Sequence, residues 1–205
     1  MLSSVQMSEQ SVFLITGASK GLGRSICEIL ANKGYIVVGL ARQSSELAEL
    51  DTFLKKYNEK SCAIACDLSV PEMVNNTAGE IVERFPAIHG IIHNAGIIGP
   101  VGNIFTVDEA KWNETLVVNL VSVQQLTRVL YPAMVNAGRC RVTTISSGAA
   151  VNSLESWSAY CTSKAGLDMW TRCLADEGGN NGISAVSIAP GTVSYTHLTL
   201  PTRIF

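Results

Sequence analysis

With 205 residues, 47% hydrophobic and 16% charged, the chain has material for one domain or at most two small ones around a single buried core. A net charge of -2 and the lack of any Lys/Arg-rich block argue against a nucleic-acid surface, and no apolar run approaches a membrane span. The expected partner is therefore a small molecule, with neither nucleic acid nor membrane.

The opening MLSSVQMSEQ is polar and has no signal-peptide pattern, so residues 1–10 read as a loose leader. SVFLIT (11–16) is a short apolar run ending in a glycine-rich turn, a buried strand. Residues 23–34 carry Ile26, Ile29 and Leu30 at helical spacing and stop at Gly34, a C-cap residue. YIVVGLA (35–41) is the next strand, 44–57 a helix and SCAIACD (61–67) a strand. A helix follows Pro71, which suits a first helical turn. IHGIIHNAG (88–96) runs from strand into turn, and a long helix is expected from about Asp108 to Ala133. CRVTTISS (140–147) is a strand, about 156–176 a helix, and ISAVSIA (183–189) a sixth strand.

Apolar strands without period-two alternation, separated by helices, specify a parallel sheet covered on both faces. Right-handed crossovers make it a doubly wound α/β fold, and ligands in such sheets bind beyond the carboxyl ends of the strands. Six cysteines, at 27, 62, 66, 140, 161 and 173, form no CxxC pair, and three histidines build no zinc spacing. They are expected to be small core residues in a reducing compartment, by default the cytoplasm, with no metal site.

The first such loop is TGASKGLG, with Thr16, Gly17, Gly21 and Gly23. Glycines let a backbone approach a phosphate, and the helix that follows offers free N–H groups to it. Alone this turn could equally be free of ligand; its place between a buried first strand and a helix points to a dinucleotide. The spacing Gly-x3-Gly-x-Gly resembles the short-chain dehydrogenase/reductase family. Five further motifs agree in order: CDLS with Asp67, HNAG (93–96), Asn119 in VVNL, ISS followed by YCTSK, and Pro190–Gly191. His93 stands where the family has Asn.

The resemblance implies a Rossmann domain over residues 1–192 and cofactor contacts from Gly17, Ser19, Lys20, Gly21, Leu22, Gly23, Asp67, Leu68, Asn94, Ala95, Gly96, Tyr160, Lys164, Pro190 and Gly191. An acidic residue after the second strand would grip a ribose 2′-hydroxyl, whereas Arg accepts a 2′-phosphate. Here Arg42 follows that strand, and Lys20 adds a second cation, so NADP(H) is expected over NAD(H).

Tyr160 and Lys164 lie four apart on a predicted helix and share a face. An ammonium beside a phenol favours its ionised form and makes it a useful acid/base. Ser147 is expected to hydrogen-bond a substrate oxygen, with Ser146 the secondary choice. Asn119 resembles the family residue that holds a relay water through a local helix distortion. His93 and His89 are expected to have no catalytic part. Each of these residue pairs is common as mere structure; their coexistence with the glycine turn is what makes a site.

The resemblance implies a carbonyl substrate, and HNAGIIGPVG, SSGAAV and WSAYCTSKAGL are most similar to the sepiapterin and benzil reductase branch. Ile97, Ile98, Ala149 and Trp157 are the expected apolar lining. A protein that binds NADP without turnover, and an inactive truncated fragment, stand as alternatives. A homodimer or homotetramer is envisaged for a complete chain. Finally, VSYTHLTLPT (193–202) resembles translated sequencing adapter in one frame, flanked by Thr192 and Arg203. Residues 193–205 are therefore expected to be a non-native tail on a chain truncated after strand six.

Overall fold

A computed structural model of the protein describes residues 10–191. The expected leader and the adapter-like tail lie outside the described residues.

Six strands form one parallel sheet: β1 (Val12–Thr16), β2 (Ile36–Ala41), β3 (Cys62–Ala65), β4 (Gly90–His93), β5 (Cys140–Ile145) and β6 (Ile183–Ile188). The order across the sheet is β3-β2-β1-β4-β5-β6. Chain direction across the sheet reverses between β1 and β4, and that is where a doubly wound sheet opens a crevice at its carboxyl edge. Every residue of β2 is buried, which explains its unbroken apolar run.

The helices are α1 (Gly21–Asn32), α2 (Ser45–Tyr57), α3 (Pro71–Arg84), α4 (Glu109–Leu116), α5 (Ser122–Asn136) and α6 (Ser158–Gly178). Ile15, Cys27, Val37, Leu50 and Leu54 form the core under α1 and α2. Leu14, Val38, Ile91, Leu126, Leu130 and Val142 belong to the core on the opposite face, under α3 and α5. Gly34 closes α1 with φ of 82°, a left-handed conformation that glycine adopts without a Cβ clash. Gly39 in β2 has a separate reason: an added Cβ would lie 3.0 Å from both Ala18 Cβ and Leu50 Cδ2, so a side chain there would press the α1 turn and α2 off the sheet.

The expected long helix from Asp108 to Ala133 is not continuous α-helix. Asp108 caps α4 by accepting from Lys111 N, residues Val117–Val121 form one π-helical turn in which Ser122 N donates to Val117 O, and α5 continues to Asn136. Such a turn widens the helix by one residue and re-aims the side chains on it. One other expectation needs correction. Cys27, Cys62, Cys66 and Cys140 are buried, but Cys161 is half-buried and Cys173 exposed, because α6 turns those positions away from the sheet. His89 has a structural part: its Nδ1 accepts from Val12 N at 3.1 Å and ties the start of β1 to the approach of β4.

Candidate active site

The crevice between β1 and β4 is built by one threonine and one asparagine. Thr16 Oγ1 accepts from Asn94 N at 3.1 Å and from Ala95 N at 3.0 Å. Asn94 Nδ2 donates back to Thr16 O at 2.9 Å and to Gly17 O at 3.2 Å. The glycine turn and the HNAG turn are thereby locked together. Gly17 has φ of 67°, and a Cβ there would lie 2.8 Å from Asn94 Nδ2. A Cβ at Gly23 would overlap Gly17 O, so α1 reaches the turn only because residue 23 lacks a side chain.

The resulting cleft has a volume of about 490 Å³. Of the expected cofactor contacts, Gly17, Ser19, Lys20, Arg42, Asp67, Leu68, Ala95 and Gly96 line it. Gly21, Leu22, Gly23 and Asn94 do not; they shape the wall from behind. Pro190 and Gly191 also lie off the lining, as do Tyr160 and Lys164. Of the expected apolar lining, Ile97 is on the cleft, whereas Ile98, Ala149 and Trp157 are not; the sequence reading missed Leu40, Ala41, Gln43, Ser44, Cys66, Ser69, Glu114 and Val118. Most of these follow directly on the carboxyl ends of β2, β3 and β4, which was the available signal.

α1 begins beside the cleft with no side-chain cap on its first N–H groups. Those free donors, the close-packed glycines and the exposed Arg42 suit a dinucleotide with anionic phosphates. Asp67 is held below the ordinary carboxylate range, first by the Ser69 N–H and then by the Ser69 hydroxyl. Lys20 is not free: its Nζ lies 2.7 Å from Glu46 Oε1.

Behind Gly96, which lines the cleft, two side chains converge. A Cβ on Gly96 would lie 3.3 Å from Asn119 Oδ1 and 3.4 Å from Lys164 Nζ, so both side chains reach the same glycine. Lys164 is buried and donates to Ile145 O at 2.8 Å. Burial pushes it down to about 8, so it is still largely charged at neutral pH. Its Nζ lies 5.7 Å from the centroid of the Tyr160 ring, and Trp157 packs edge-on against that ring with centroids 5.8 Å apart.

Asn119, fully buried in the π-turn, accepts from Ile97 N and donates to Ile97 O and Ser163 Oγ. The helix distortion that the resemblance implied is thus present at this residue. Ser147 is half-buried and accepts from Ala149 N at 3.2 Å. Ser146 is buried, and its Oγ has no partner among the described residues. His93 is buried too: Nε2 pairs with Thr127 Oγ1 at 2.8 Å, Trp170 lies edge-on to the ring, and burial pushes its pKa down to about 3. Among the described residues no group of three or more His, Cys, Asp or Glu could hold a metal, and no helix is long and apolar enough to cross a membrane.

A parallel sheet in this order, with a glycine turn at its switch point and a buried lysine beside a tyrosine at the end of the crevice, defines a nucleotide-binding α/β oxidoreductase scaffold. The family model for short chain dehydrogenases matches residues 11–203, and the chain belongs to that family. It is 33% identical over 191 residues to the ketoacyl reductase HetN of a Nostoc strain, covering 93% of this chain and 66% of that protein. It is 35% identical to an L-xylulose reductase of Caenorhabditis elegans, over 88% of this chain and 70% of that one. The fold matches a metagenomic short-chain oxidoreductase in complex with NADP at a TM-score of 0.82 and 31% identity, covering 91% of this chain and 85% of that one. A short-chain dehydrogenase from Streptomyces avermitilis matches at 0.83 and 30%, over 96% of this chain and 69% of that one. The chain thus spans about two thirds of the length of the curated relatives it matches.

Proposed function

We propose that the protein is an NADPH-dependent carbonyl reductase. The observation that carries this reading is the convergence of Asn119 and Lys164 on Gly96, with the Tyr160 ring beside Lys164, at a cleft that also holds a glycine turn with free helix N–H groups.

Gly17 and the α1 N-terminus would hold the pyrophosphate, and Arg42 the 2′-phosphate. When bound, the reduced nicotinamide supplies hydride to a carbonyl carbon. Tyr160 donates a proton to the carbonyl oxygen as general acid, and Ser147 donates a hydrogen bond to the same oxygen. Lys164, aimed by Ile145 O, keeps a positive charge beside the phenol and would hold the nicotinamide ribose. Asn119 fixes the Ile97 backbone that forms the floor. The substrate we favour is a vicinal dicarbonyl of the sepiapterin or benzil kind. Support comes from the sequence resemblance to that branch and from Ile97 and Trp157, which bring apolar surface to the cleft and the tyrosine. A cytoplasmic location agrees with six free cysteines.

The test is Tyr160→Phe assayed with a vicinal diketone. Turnover should fall by about 100-fold or more while NADPH binding persists. Lys164→Ala should weaken both. Near-normal turnover in Tyr160→Phe would overturn the acid assignment, and tighter binding of NADH than NADPH by the unmodified protein would overturn the cofactor.

A further inference from the structure

We propose that Glu46 is a selectivity residue of the cofactor cleft, which weakens the hold on a 2′-phosphate by keeping Lys20 compensated. The inference rests on the cofactor reading above and deepens it.

Lys20 is the N-cap residue of α1, and Glu46 sits in the first turn of α2. Their ion pair, 2.7 Å from Nζ to Oε1, bridges the mouth of the cleft beside Arg42 and Ser44. Glu46 is held in place from two sides. Arg24 Nη1 donates to its backbone oxygen at 3.2 Å, and Ser45 Oγ donates to Oε2 at 3.3 Å. The hydrogen bond from Lys20 above all holds the Glu46 carboxyl down at about 2, so it is anionic at any working pH. Arg42, by contrast, has no carboxylate within 4.0 Å among the described residues.

A dianion placed against Arg42 therefore meets one free cation and one cation already paired. Two outcomes are open to Lys20. It swings to the phosphate and leaves Glu46 bare near two like charges, or it stays and contributes little field. Both cost binding energy, and neither touches a ligand that carries a plain 2′-hydroxyl. Glu46 thus lowers affinity for NADPH and leaves NADH alone, which narrows the preference that Arg42 creates.

The experiment is fluorescence titration of NADPH and NADH into the unmodified chain, Glu46→Gln, Lys20→Met, the double variant and Arg42→Ala. Glu46→Gln should bind NADPH about 2- to 5-fold tighter, the scale of one exposed charge interaction, with unchanged NADH binding as the control for folding. The gain should shrink in about 0.5 M salt, where exposed charges are screened. Lys20→Met bares Glu46 beside the phosphate and should weaken NADPH binding by a similar factor, and the double variant should return to the unmodified affinity; if Glu46→Gln folds poorly, the loss in Lys20→Met, its shrinkage in salt and its absence for NADH read the same effect. Unchanged or weaker NADPH binding by Glu46→Gln, or a double variant that binds NADPH no better than Lys20→Met alone, overturns the proposal. If Arg42→Ala leaves NADPH binding intact, the cofactor reading itself falls; if Arg42→Ala weakens NADPH and Glu46→Gln does nothing, only the role of Glu46 falls.

Discussion

Asn119 and Ile97 bind each other as a pair of amides: Ile97 N donates to Asn119 Oδ1 and Asn119 Nδ2 donates to Ile97 O, each at 2.8 Å. The side chain imitates a neighbouring strand and ends the β4 turn where no strand is available. It reaches there because the π-turn Val117–Val121 shifts it out of helical register.

Replacing Asn119 by Leu should therefore leave both Ile97 backbone groups short of a partner, while Ser163 Oγ keeps its bond to Tyr160 O. We expect a loss of about 2–4 kcal/mol in urea unfolding, from buried polar groups left unsatisfied. NADPH affinity should fall as well, since Ile97 and Gly96 line the cleft. Unchanged stability would show that the loop is held by other contacts.

Lys164 makes the opposite prediction for stability. Burial has lowered its pKa to about 8 from an ordinary 10.5, so the unfolded chain binds more protons between those values. The folded state carries the full penalty below about pH 8 and sheds it as pH rises toward 10.5. Lys164→Met should raise cofactor-free stability at pH 7 by about 1–3 kcal/mol, after allowing for the lost bond to Ile145 O, while removing activity. The gap between variant and unmodified protein should narrow when unfolding is measured near pH 10.

The acid side belongs to His93. Its folded pKa is about 3 against an ordinary 6.5, so the folded protein loses stability as pH drops below 6.5. Between pH 7 and pH 5 the loss from this residue should be about 2 kcal/mol. His89, lowered by burial as well, adds a smaller loss of the same sign. His93→Gln should flatten most of that slope in chemical unfolding, and an unchanged slope would place the acid sensitivity elsewhere.

The order of strands and helices was legible because each buried parallel strand is an uninterrupted apolar run, as β2 is, and helix boundaries carry local signals, Gly34 at the end of α1 and Pro71 at the start of α3. The glycine turn and the Tyr160–Lys164 spacing were legible for a similar reason: both are local. What the sequence concealed was pairing across the fold. Nothing in TGASKGLG says that Lys20 meets a carboxylate on α2. Nor does HNAG say that Asn94 spends its amide on Thr16 and Gly17 instead of facing the cleft. Helical period alone could not show the π-turn, since one inserted residue leaves the apolar pattern on either side intact. Ser146 and Ser147 were separable only by burial: Ser146 points inward and Ser147 opens the turn Gly148–Ala150.

The lock between Thr16 and Asn94 joins residues 78 positions apart. Contacts of such span form late, because the loop they close must be ordered first. The first half of the chain can thus make its glycine turn early and still have no cleft. Binding competence arrives only when β4 docks on β1, so a nucleotide that prefers the finished cleft acts as a latch on the last step of folding, adding stability that grows with the logarithm of its concentration. Protection of Asn94 and Ala95 amides against hydrogen exchange would be the place to watch that latch close.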